Sequence, residues 1–368
     1  MNPRRSILCT GALLMTVVVA VLVNSGCSAL RRSPASTPTP TKTPVVASAV
    51  EPTATYTPVR SSPTPERSYD RCPLTGLEMT DPALGMRRPL DIKIDNYPGS
   101  RPPSGIHRAD VVFEHFAEGA ITRFSAVFLC QDHEQVGPVR SARLIDVEHV
   151  VNMFDAVLVH YGAANQVLPM IDAAGFPDMD GYFGAPGFLT VPGRVSPFNK
   201  YCDTRAVWAA VEENGWQKPA ERPGFLFSES VESDVPADRI KVVYAPQNQA
   251  RWDFDAERGV YLRYAGDEPD VEESAGEQLT AANVVIVSAK HTETDIDEGY
   301  GSFSVRIDLL GEGPAVVCRD GLAVEGRWVR TGDTEVIRLV DGAGNPIPFK
   351  PGNVWIQVVP EMGILEIS

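Results

Sequence analysis

The sequence predicts an α+β protein, and three observations support this fold class. Residues 69–228 contain apolar segments rich in β-branched and aromatic residues, which are typical of strands. Segments with a 3.6-residue apolar period, typical of amphipathic helices, lie between and after these strands. From residue 239 onward, short strand patterns are separated by Gly, Asp, Asn and Pro, with little helix. We therefore predict an α/β domain at 69–228 and a mainly antiparallel β domain at 239–368.

The first domain is predicted to contain four strands and three helices. The strand patterns are LDIKIDNY (90–97), DVVFEHF (110–116), TRFSAVFL (122–129) and DAVLVHYG (155–162). The helical patterns are 142–154, 165–174 and DTRAVWAAVEENGW, which starts at an Asp203 or Thr204 cap and stops at Gly215. Local patterns do not reveal the order of the strands in their sheet.

The second domain is predicted from six strand-bearing segments after an acidic connection, SESVESDVPAD (228–238). The segments are RIKVVYA, WDFDAERGVYLRYAG, NVVIVSAK, SFSVRIDLL, AVVCRDGLAVEGRWV and EVIRLVDGAGNPIPFKPGNVWIQVV. Asp-Ala-Glu-Arg-Gly and Asp-Gly-Ala-Gly-Asn-Pro are typical of hairpin loops. The two domains could still pack into a single body.

The N-terminus predicts export and a lipid anchor. Arg4 and Arg5 precede an uncharged apolar run at 7–23 and the small pair Ser25-Gly26, which is the order of a bacterial secretory signal over 1–26. The ending Ser-Gly-Cys resembles the lipobox of bacterial lipoproteins, in which the cysteine, here Cys27, is acylated and becomes the mature N-terminus. An ordinary signal peptide and an uncleaved apolar span are the alternatives, and Asn24 departs from the usual aliphatic residue.

Residues 27–68 predict an extended, disordered tether rich in Pro, Thr and Ser. Such a tether would hold the folded part clear of the lipid headgroups on the extracytoplasmic face of the cell membrane.

The chain carries a formal net charge of −15, while signal and tether are both cationic, so the folded part is still more negative. This charge argues against nucleic-acid binding, because phosphate backbones repel an anionic domain.

Four cysteines remain after Cys9 in the signal and Cys27 are set aside: Cys72, Cys130, Cys202 and Cys318. An even number outside the membrane permits disulfides, with three possible connectivities, and isolated buried thiols are the alternative. Because no CxxC pair occurs, zinc ribbons and thioredoxin-like redox motifs are not expected.

Several motifs in matching order resemble a known family. CPLTGL (72–77), RPLDIKIDN (88–96), RPPSGIHRADVVFEHFAEGAITRFSAVF (101–128) and VGPVRSAR (136–143) resemble the N-terminal domain of the YerB-like lipoprotein family, a domain of unknown function. GVYLRYAG, LTAANVVIV, EGRWVR and DGAGNPIPFKPGNVWIQVV resemble that family's C-terminal domain. The resemblance implies a YerB-like α+β fold of packed sheet and helix layers and an extracytoplasmic lipoprotein, without an established activity. Where the family usually shows an Ala-Pro-His-Asn-like turn, this chain has SPFNK, so Phe198 replaces the histidine and Asn199 remains.

The heptad GPVRSAR predicts a negatively charged partner. It precedes a predicted helix, whose first turn carries unpaired N–H groups and the positive end of the macrodipole, so Arg140 and Arg143 need an anion nearby. One hypothesis is a salt-bridge network with Glu114, Glu118 and Asp146. The other is a pocket for a carboxylate or phosphate. Its predicted residues are Arg123, Arg140, Ser141, Arg143 and Asn199.

The sequence favours a binding role over catalysis. It contains no GxSxG, SxxK, HxH or HExxH motif, so no cofactor or metal site is predicted. Short motifs of this kind do not detect a metal site whose ligands are far apart in the sequence. The leading prediction is a lipid-anchored protein that binds a small anionic ligand or an envelope protein and is not an enzyme. The alternative is a cell-envelope hydrolase or transferase that uses His160 with Ser141 and the arginines. Glu114 and Glu118 are its further candidate catalytic groups.

Overall fold

The computed structural model describes residues 70–219, 224–299 and 301–368. The predicted signal peptide, Cys27 and the tether lie outside these residues. Among the helices that the structure describes, none is both long and apolar enough to span a bilayer.

Strands and short helices alternate between residues 70 and 219. The strands are β1 (Leu90–Asp95), β2 (Val111–Phe116), β3 (Thr122–Phe128), β4 (Val157–His160), β5 (Asp178–Asp180), β6 (Phe188–Thr190) and β7 (Lys200–Cys202). The α-helices are α1 (Val151–Phe154), which continues a π-helical turn at Asp146–Val150, α2 (Leu168–Ala174) and α3 (Thr204–Glu213). Short 3₁₀ turns lie at Pro82–Met86, Pro98–Ser100, Ile106–Arg108 and Gly181–Phe183. The four predicted strands and the Asp203 cap of α3, which accepts from the Arg205 N–H at 2.9 Å, are confirmed.

The rest of the described chain is almost entirely β-structure. Its strands are β8 (Val235–Pro236), β9 (Arg239–Ala245), β10 (Asn248–Asp255), β11 (Val260–Ala265), β12 (Glu268–Pro269), β13 (Thr280–Ala281), β14 (Asn283–Ser288), β15 (Lys290–Gly299), β16 (Ser302–Asp308), β17 (Gly311–Arg319), β18 (Leu322–Arg330), β19 (Arg338–Val340), β20 (Val354–Val359) and β21 (Leu365–Ile367). A 3₁₀ turn lies at Met362–Ile364. Strand β15 was not predicted, because its polar sequence KHTETDIDEG lacks an apolar face; it pairs with β16 as a separate hairpin.

The largest sheet draws strands from both predicted domains. Its order is β19-β18-β17-β14-β20-β2-β3-β1-β4-β5, and β8 pairs with β18. Strand β20 lies between β14 and β2 and runs parallel to both, so Val354 is the register partner of Val111 on one side and Asn283 on the other. The two sequence regions therefore share one hydrogen-bonded sheet.

This sheet is covered on both faces, which gives the α+β layering that the sequence predicts. A second sheet of order β12-β11-β10-β9-β21, with β13 beside β11, covers one face. There Trp355 packs edge-on against Phe124 and Trp252, at ring-centroid distances of 5.3 and 5.1 Å. On the opposite face Phe113 packs against Phe154 of α1, at 6.0 Å. Because both faces are buried, even the polar side chains of β1 to β3 lie inside the protein.

A row of buried polar side chains crosses the helix-facing side of the sheet. The Lys93 ammonium donates to Asp146 Oδ1 and Ser125 Oγ, both at 2.9 Å, and lies 2.6 Å from His115 Nε2. All four side chains are buried. Buried charges are stable when they are paired and hydrogen-bonded, and Asp146 supplies the pairing for Lys93. Asp146 also accepts from the Arg143 N–H at 2.7 Å, so this network holds the segment that carries the predicted arginines.

The sequence allowed the cysteines to form disulfides or to be buried thiols, and both states occur. Cys72 and Cys130 form a disulfide with a Cα–Cα distance of 6.1 Å. Cys202 and Cys318 are buried thiols, and burial raises the pKa of both, that of Cys318 to about 12. Neither thiol is therefore a reactive nucleophile at neutral pH.

Candidate functional site

The GPVRSAR segment lies beside β1 in an extended conformation. The Asp95 N–H donates to the Pro138 carbonyl at 2.9 Å, and the Arg140 N–H donates to the Lys93 carbonyl at 2.9 Å. Arg140 precedes the helix, as predicted, and is extended because its backbone pairs with β1; the helical segment begins only after Arg143, two residues later than the predicted start at 142. The side chains of both arginines nevertheless reach the same cleft.

A solvent-open cleft of about 1000 Å³ forms where β1 ends and β3 begins. We call it the arginine cleft. Its walls include three predicted arginines and Ser141, together with acidic and aromatic side chains: Arg123, Arg140, Ser141, Arg143, Asp95, Glu118, Asp297, Glu298, Tyr97 and Phe198. Asn199 lies in an adjoining pocket of about 540 Å³, which shares Arg140 and Ser141 with the cleft. The predicted anion-binding residues are therefore neighbours in space.

Glu118 is the chain's own partner for two of the arginines. Its carboxylate lies 2.5 Å from Arg123 Nη2 and accepts from Arg143 Nε at 2.8 Å. Although burial opposes it, these two guanidinium groups hold the pKa of Glu118 at about 2. Arg143 also donates to the Ala142 carbonyl at 3.0 Å and lies 3.4 Å from Glu298 Oε2. The hydrogen-bonding groups of Arg143 are thus largely used within the protein.

Arg123 and Arg140 keep donors that no described residue accepts. The Arg123 side chain is 3% exposed, and its Nε and Nη1 atoms have no hydrogen-bond partner among the described residues. Burial and the nearby Arg143 lower the pKa of Arg123 to about 10. Arg140 is the more open of the two at 22% exposure, and its Nε lies 3.2 Å from Asp95 Oδ2 without hydrogen-bond geometry. Buried donors of this kind usually have a partner, so this part of the cleft has capacity for an external acceptor.

An aromatic pair forms one wall beside Arg140. Tyr97, 45% exposed, stacks on Phe198 with a centroid distance of 5.8 Å and an interplanar angle of 13°. The Arg140 guanidinium carbon lies 5.9 Å from the Phe198 ring. Phe198 occupies the position at which the family resemblance predicts a histidine. This chain therefore has a flat apolar ring next to the Arg140 cation at that position.

The predicted pair of Ser141 and His160 is not formed. His160 is buried, with Nε2 2.6 Å from Asp178 Oδ1 and Nδ1 2.8 Å from the Gly162 carbonyl. Ser141 Oγ instead donates to the Tyr161 carbonyl at 3.4 Å. Although burial opposes it, Asp178 and Asp180 raise the pKa of His160. His160 therefore has a structural hydrogen-bonding role at the end of β4.

Glu114 also lies outside the cleft. Its carboxylate is buried between the two sheets, where it accepts from Arg263 Nη2 at 2.8 Å, Thr122 Oγ1 at 2.8 Å and Asn96 Nδ2 at 3.0 Å. The prediction that it pairs with the heptad arginines is wrong, because side chains alternate along β2 and Glu114 points away from their side. The register shows this directly, since Arg123 pairs with His115 and Glu114 pairs with Phe124.

Sequence reasoning missed the acidic and aromatic members of the cleft. Asp95 ends the pattern DIKID, whose alternate positions Asp91, Lys93 and Asp95 share one side of β1. That alternation could have placed Asp95 beside Arg123, its register partner. Glu298 comes from the unpredicted strand β15, and no local signal connects it with Arg143.

Comparison with known proteins identifies the family. Residues 74–217 match the N-terminal domain, and residues 240–356 the C-terminal domain, of a protein of unknown function (DUF3048). "Putative lipoprotein YerB" of Bacillus subtilis (strain 168) is 31% identical over 305 residues, which are 81% of this chain and 88% of the relative. The crystal structure of YerB protein from Bacillus subtilis has a TM-score of 0.72 at 30% identity, covering 81% of this chain and 99% of that chain. The chain therefore belongs to the YerB-like DUF3048 family, as its sequence motifs predict.

Proposed function

We propose that this protein is a lipoprotein, anchored through Cys27 on the extracytoplasmic face of the cell membrane, whose arginine cleft binds an anionic ligand. The ligand is a small anion or an acidic group of an envelope protein. The observation that carries the proposal is the pair of unpartnered, buried Arg123 nitrogens in a solvent-open cleft that also contains Arg140. The name of the B. subtilis relative supports membrane anchoring.

The chemistry of the cleft favours a carboxylate or a phosphate group. A guanidinium group offers planar, paired N–H donors that match both anions, and charge-assisted hydrogen bonds are stronger inside a partly desolvated site. The net charge of −15 disfavours large polyanions, so the anion is small or locally presented. The stacked rings of Tyr97 and Phe198 beside Arg140 suit an anion carried on a ring or another apolar group.

A binding role agrees better with this geometry than hydrolysis or group transfer. A serine nucleophile needs a base within hydrogen-bond reach, and both ring nitrogens of His160 have other partners. Ser141 is then a polar residue of the cleft wall rather than a nucleophile.

We expect Arg140→Ala to weaken anion binding at least about tenfold, since it removes a charge-assisted contact worth more than about 1.4 kcal/mol. The measurement is isothermal titration of the full-length protein in detergent against inorganic phosphate, small carboxylic acids and soluble cell-wall fragments. Arg306→Ala is the matched control, because Arg306 is an exposed arginine, paired with Glu148, that does not line the cleft. The proposal fails when no probe binds the wild type, or when both variants bind like the wild type.

The anchor is tested by metabolic labelling with radioactive palmitate. We expect the wild type to be labelled and Cys27→Ser to lose the label, because the cysteine of the predicted lipobox carries the lipid. Cys9→Ser is the control and should keep the label, since Cys9 lies within the predicted signal peptide. A labelled Cys27→Ser protein would contradict the assignment.

A further inference from the structure

Two histidines and a glutamate converge at a place outside the arginine cleft. His107 lies in the 3₁₀ turn Ile106–Arg108, His133 follows the disulfide-bonded Cys130, and Glu272 lies in the turn after β12. One ligand atom from each side chain lies within 4.8 Å of the other two. No short motif connects the three residues, because more than 130 positions separate Glu272 from either histidine.

Hydrogen bonds from the neighbouring backbone position the potential ligand atoms of this cluster. His133 Nδ1 lies 3.0 Å from the Gln135 carbonyl oxygen and 3.1 Å from the Gln135 nitrogen, so the neighbouring backbone fixes the orientation of the ring. When Nδ1 carries the proton, it donates to this carbonyl, and Nε2 keeps a lone pair for a metal ion. His107 Nδ1 is buried, has no hydrogen-bond partner among the described residues, and lies 3.5 Å from Glu272 Oε1. Glu272 is 1% exposed, so its carboxylate needs a partner inside the protein.

The backbone is shaped around this cluster. Gly105 has a φ of +77°, and a Cβ atom there would come within 2.9 Å of His133 Nδ1. Its N–H donates to Glu272 Oε1, and the Ala275 N–H donates to Glu272 Oε2 at 2.6 Å. The carboxylate is therefore held in position from two sides, next to the imidazoles. The other cluster of potential ligands among the described residues, Cys72, Asp110 and Cys130, contains the disulfide and lacks free thiols.

The donor set corresponds to zinc. Two imidazole nitrogens and one carboxylate oxygen form a common zinc site with one position left for water. Bonds of about 2.0–2.1 Å place tetrahedral ligand atoms about 3.4 Å apart, so the side chains need to move by roughly 1 Å. The Ser274 hydroxyl, 2.8 Å from Glu272 Oε2 and 3.0 Å from His133 Nε2, must give up its bridging hydrogen bond. The His107 side chain is 26% exposed, which leaves a path for entry.

We propose that His107, His133 and Glu272 bind a Zn²⁺ ion, which links the 74–217 region to the 240–356 region. Both histidines come from the first region and the carboxylate from the second. Bound metal therefore stabilises the contact between them by mass action. The competing interpretation is a metal-free ion pair between a protonated His107 and Glu272.

The test uses the full-length protein in detergent, purified without a histidine tag and treated with a chelator. Co²⁺ is titrated while the visible absorption of a tetrahedral cobalt site is recorded, and Zn²⁺ is then added as competitor. We expect one equivalent of Co²⁺ to bind, Zn²⁺ to displace it, and the melting temperature to rise with Zn²⁺. His133→Ala should weaken Co²⁺ binding by more than roughly 10–100-fold. That is the cost of losing an outer-shell partner, and His133 is a direct ligand of the metal.

Two further variants keep the result interpretable. His291→Ala is the control and should bind like the wild type, because His291 contacts the Ala289 carbonyl away from this cluster. His107→Ala alters the most exposed ligand and should fold even where a change at the buried Glu272 does not. The proposal is overturned when the wild type binds no stoichiometric Co²⁺, or when a correctly folded His107→Ala protein binds it as tightly as the wild type.

Discussion

Replacing Arg263 with methionine is expected to lower the free energy of unfolding by about 3–5 kcal/mol, because it leaves buried carboxylates without their cation. Arg263 is 1% exposed and lies between Glu114, at 2.8 Å, and Asp270. The pair joins the central sheet to the second sheet, where Arg263 also lies 5.1 Å from the Trp355 ring centroid. Urea denaturation of the full-length protein, followed by tryptophan fluorescence, measures the loss.

The double variant Glu114→Gln with Arg263→Met should recover part of this loss, since it removes a buried charge together with its partner. Arg327→Ala is the control for loss of an arginine at the surface. It pairs with Glu312 in an exposed salt bridge, and such pairs contribute little to stability. An Arg263→Met protein as stable as the wild type would show that the buried pair does not hold the two sheets together.

The second large effect is the dependence of stability on pH through Glu118. Its folded pKa of about 2 lies below the ordinary 4.5, so its contribution is complete above pH 4.5 and is lost as the pH falls toward 2. The shift corresponds to about 3 kcal/mol. Glu118→Gln should lose stability of this order at neutral pH, because Arg123 and Arg143 then lack their shared carboxylate.

Denaturation curves between pH 2 and pH 7 check this expectation. The free energy of unfolding of Glu118→Gln should fall less steeply with acid than that of the wild type. A smaller acid-induced decrease should remain, since Glu272, although burial opposes it, also has its pKa lowered by hydrogen bonds to its carboxylate. Asp110 acts in the opposite direction, because burial raises its pKa to about 6 and its contribution declines as the pH rises. Parallel curves for variant and wild type would contradict the role assigned to Glu118.

The local elements were predictable because their signals are local. The β-branched and aromatic residues of LDIKIDNY and TRFSAVFL predict β1 and β3, and the Asp203 cap with Gly215 after the last turn predicts α3. Strand β15 could not be found in this way, since its polar side chains are mostly exposed and its stability depends on pairing with β16. The pairing of the Arg140 segment with β1 was not predicted for a related reason, because an extended segment paired with a neighbouring strand has no signature in its own residues.

The sequence predicted that the candidate site contains buried ion pairs, but it did not predict which acid pairs with which arginine. Charged residues within apolar segments indicated buried ion pairs, and Glu118 does pair with Arg123 and Arg143. Glu114 was assigned to the same arginines, yet the alternation of side chains on β2 directs it to Arg263, 149 positions away. Which acid neutralises which arginine depends on strand register and on which face each side chain occupies. Neither can be obtained from composition or spacing.

The sequence by itself determined the family, the α+β fold class, and the three arginines and Ser141 of the arginine cleft, because motifs, periodicity and charge are properties of neighbouring positions. Only the tertiary structure decided that Arg123 retains unpartnered donors, that Ser141 and His160 stay apart, and that His107 and His133 meet Glu272. These relations join segments far apart in the chain, and the pairing of β20 with β2 brings the two regions together. Burial then decides which charged groups are satisfied within the protein and which keep capacity for a ligand.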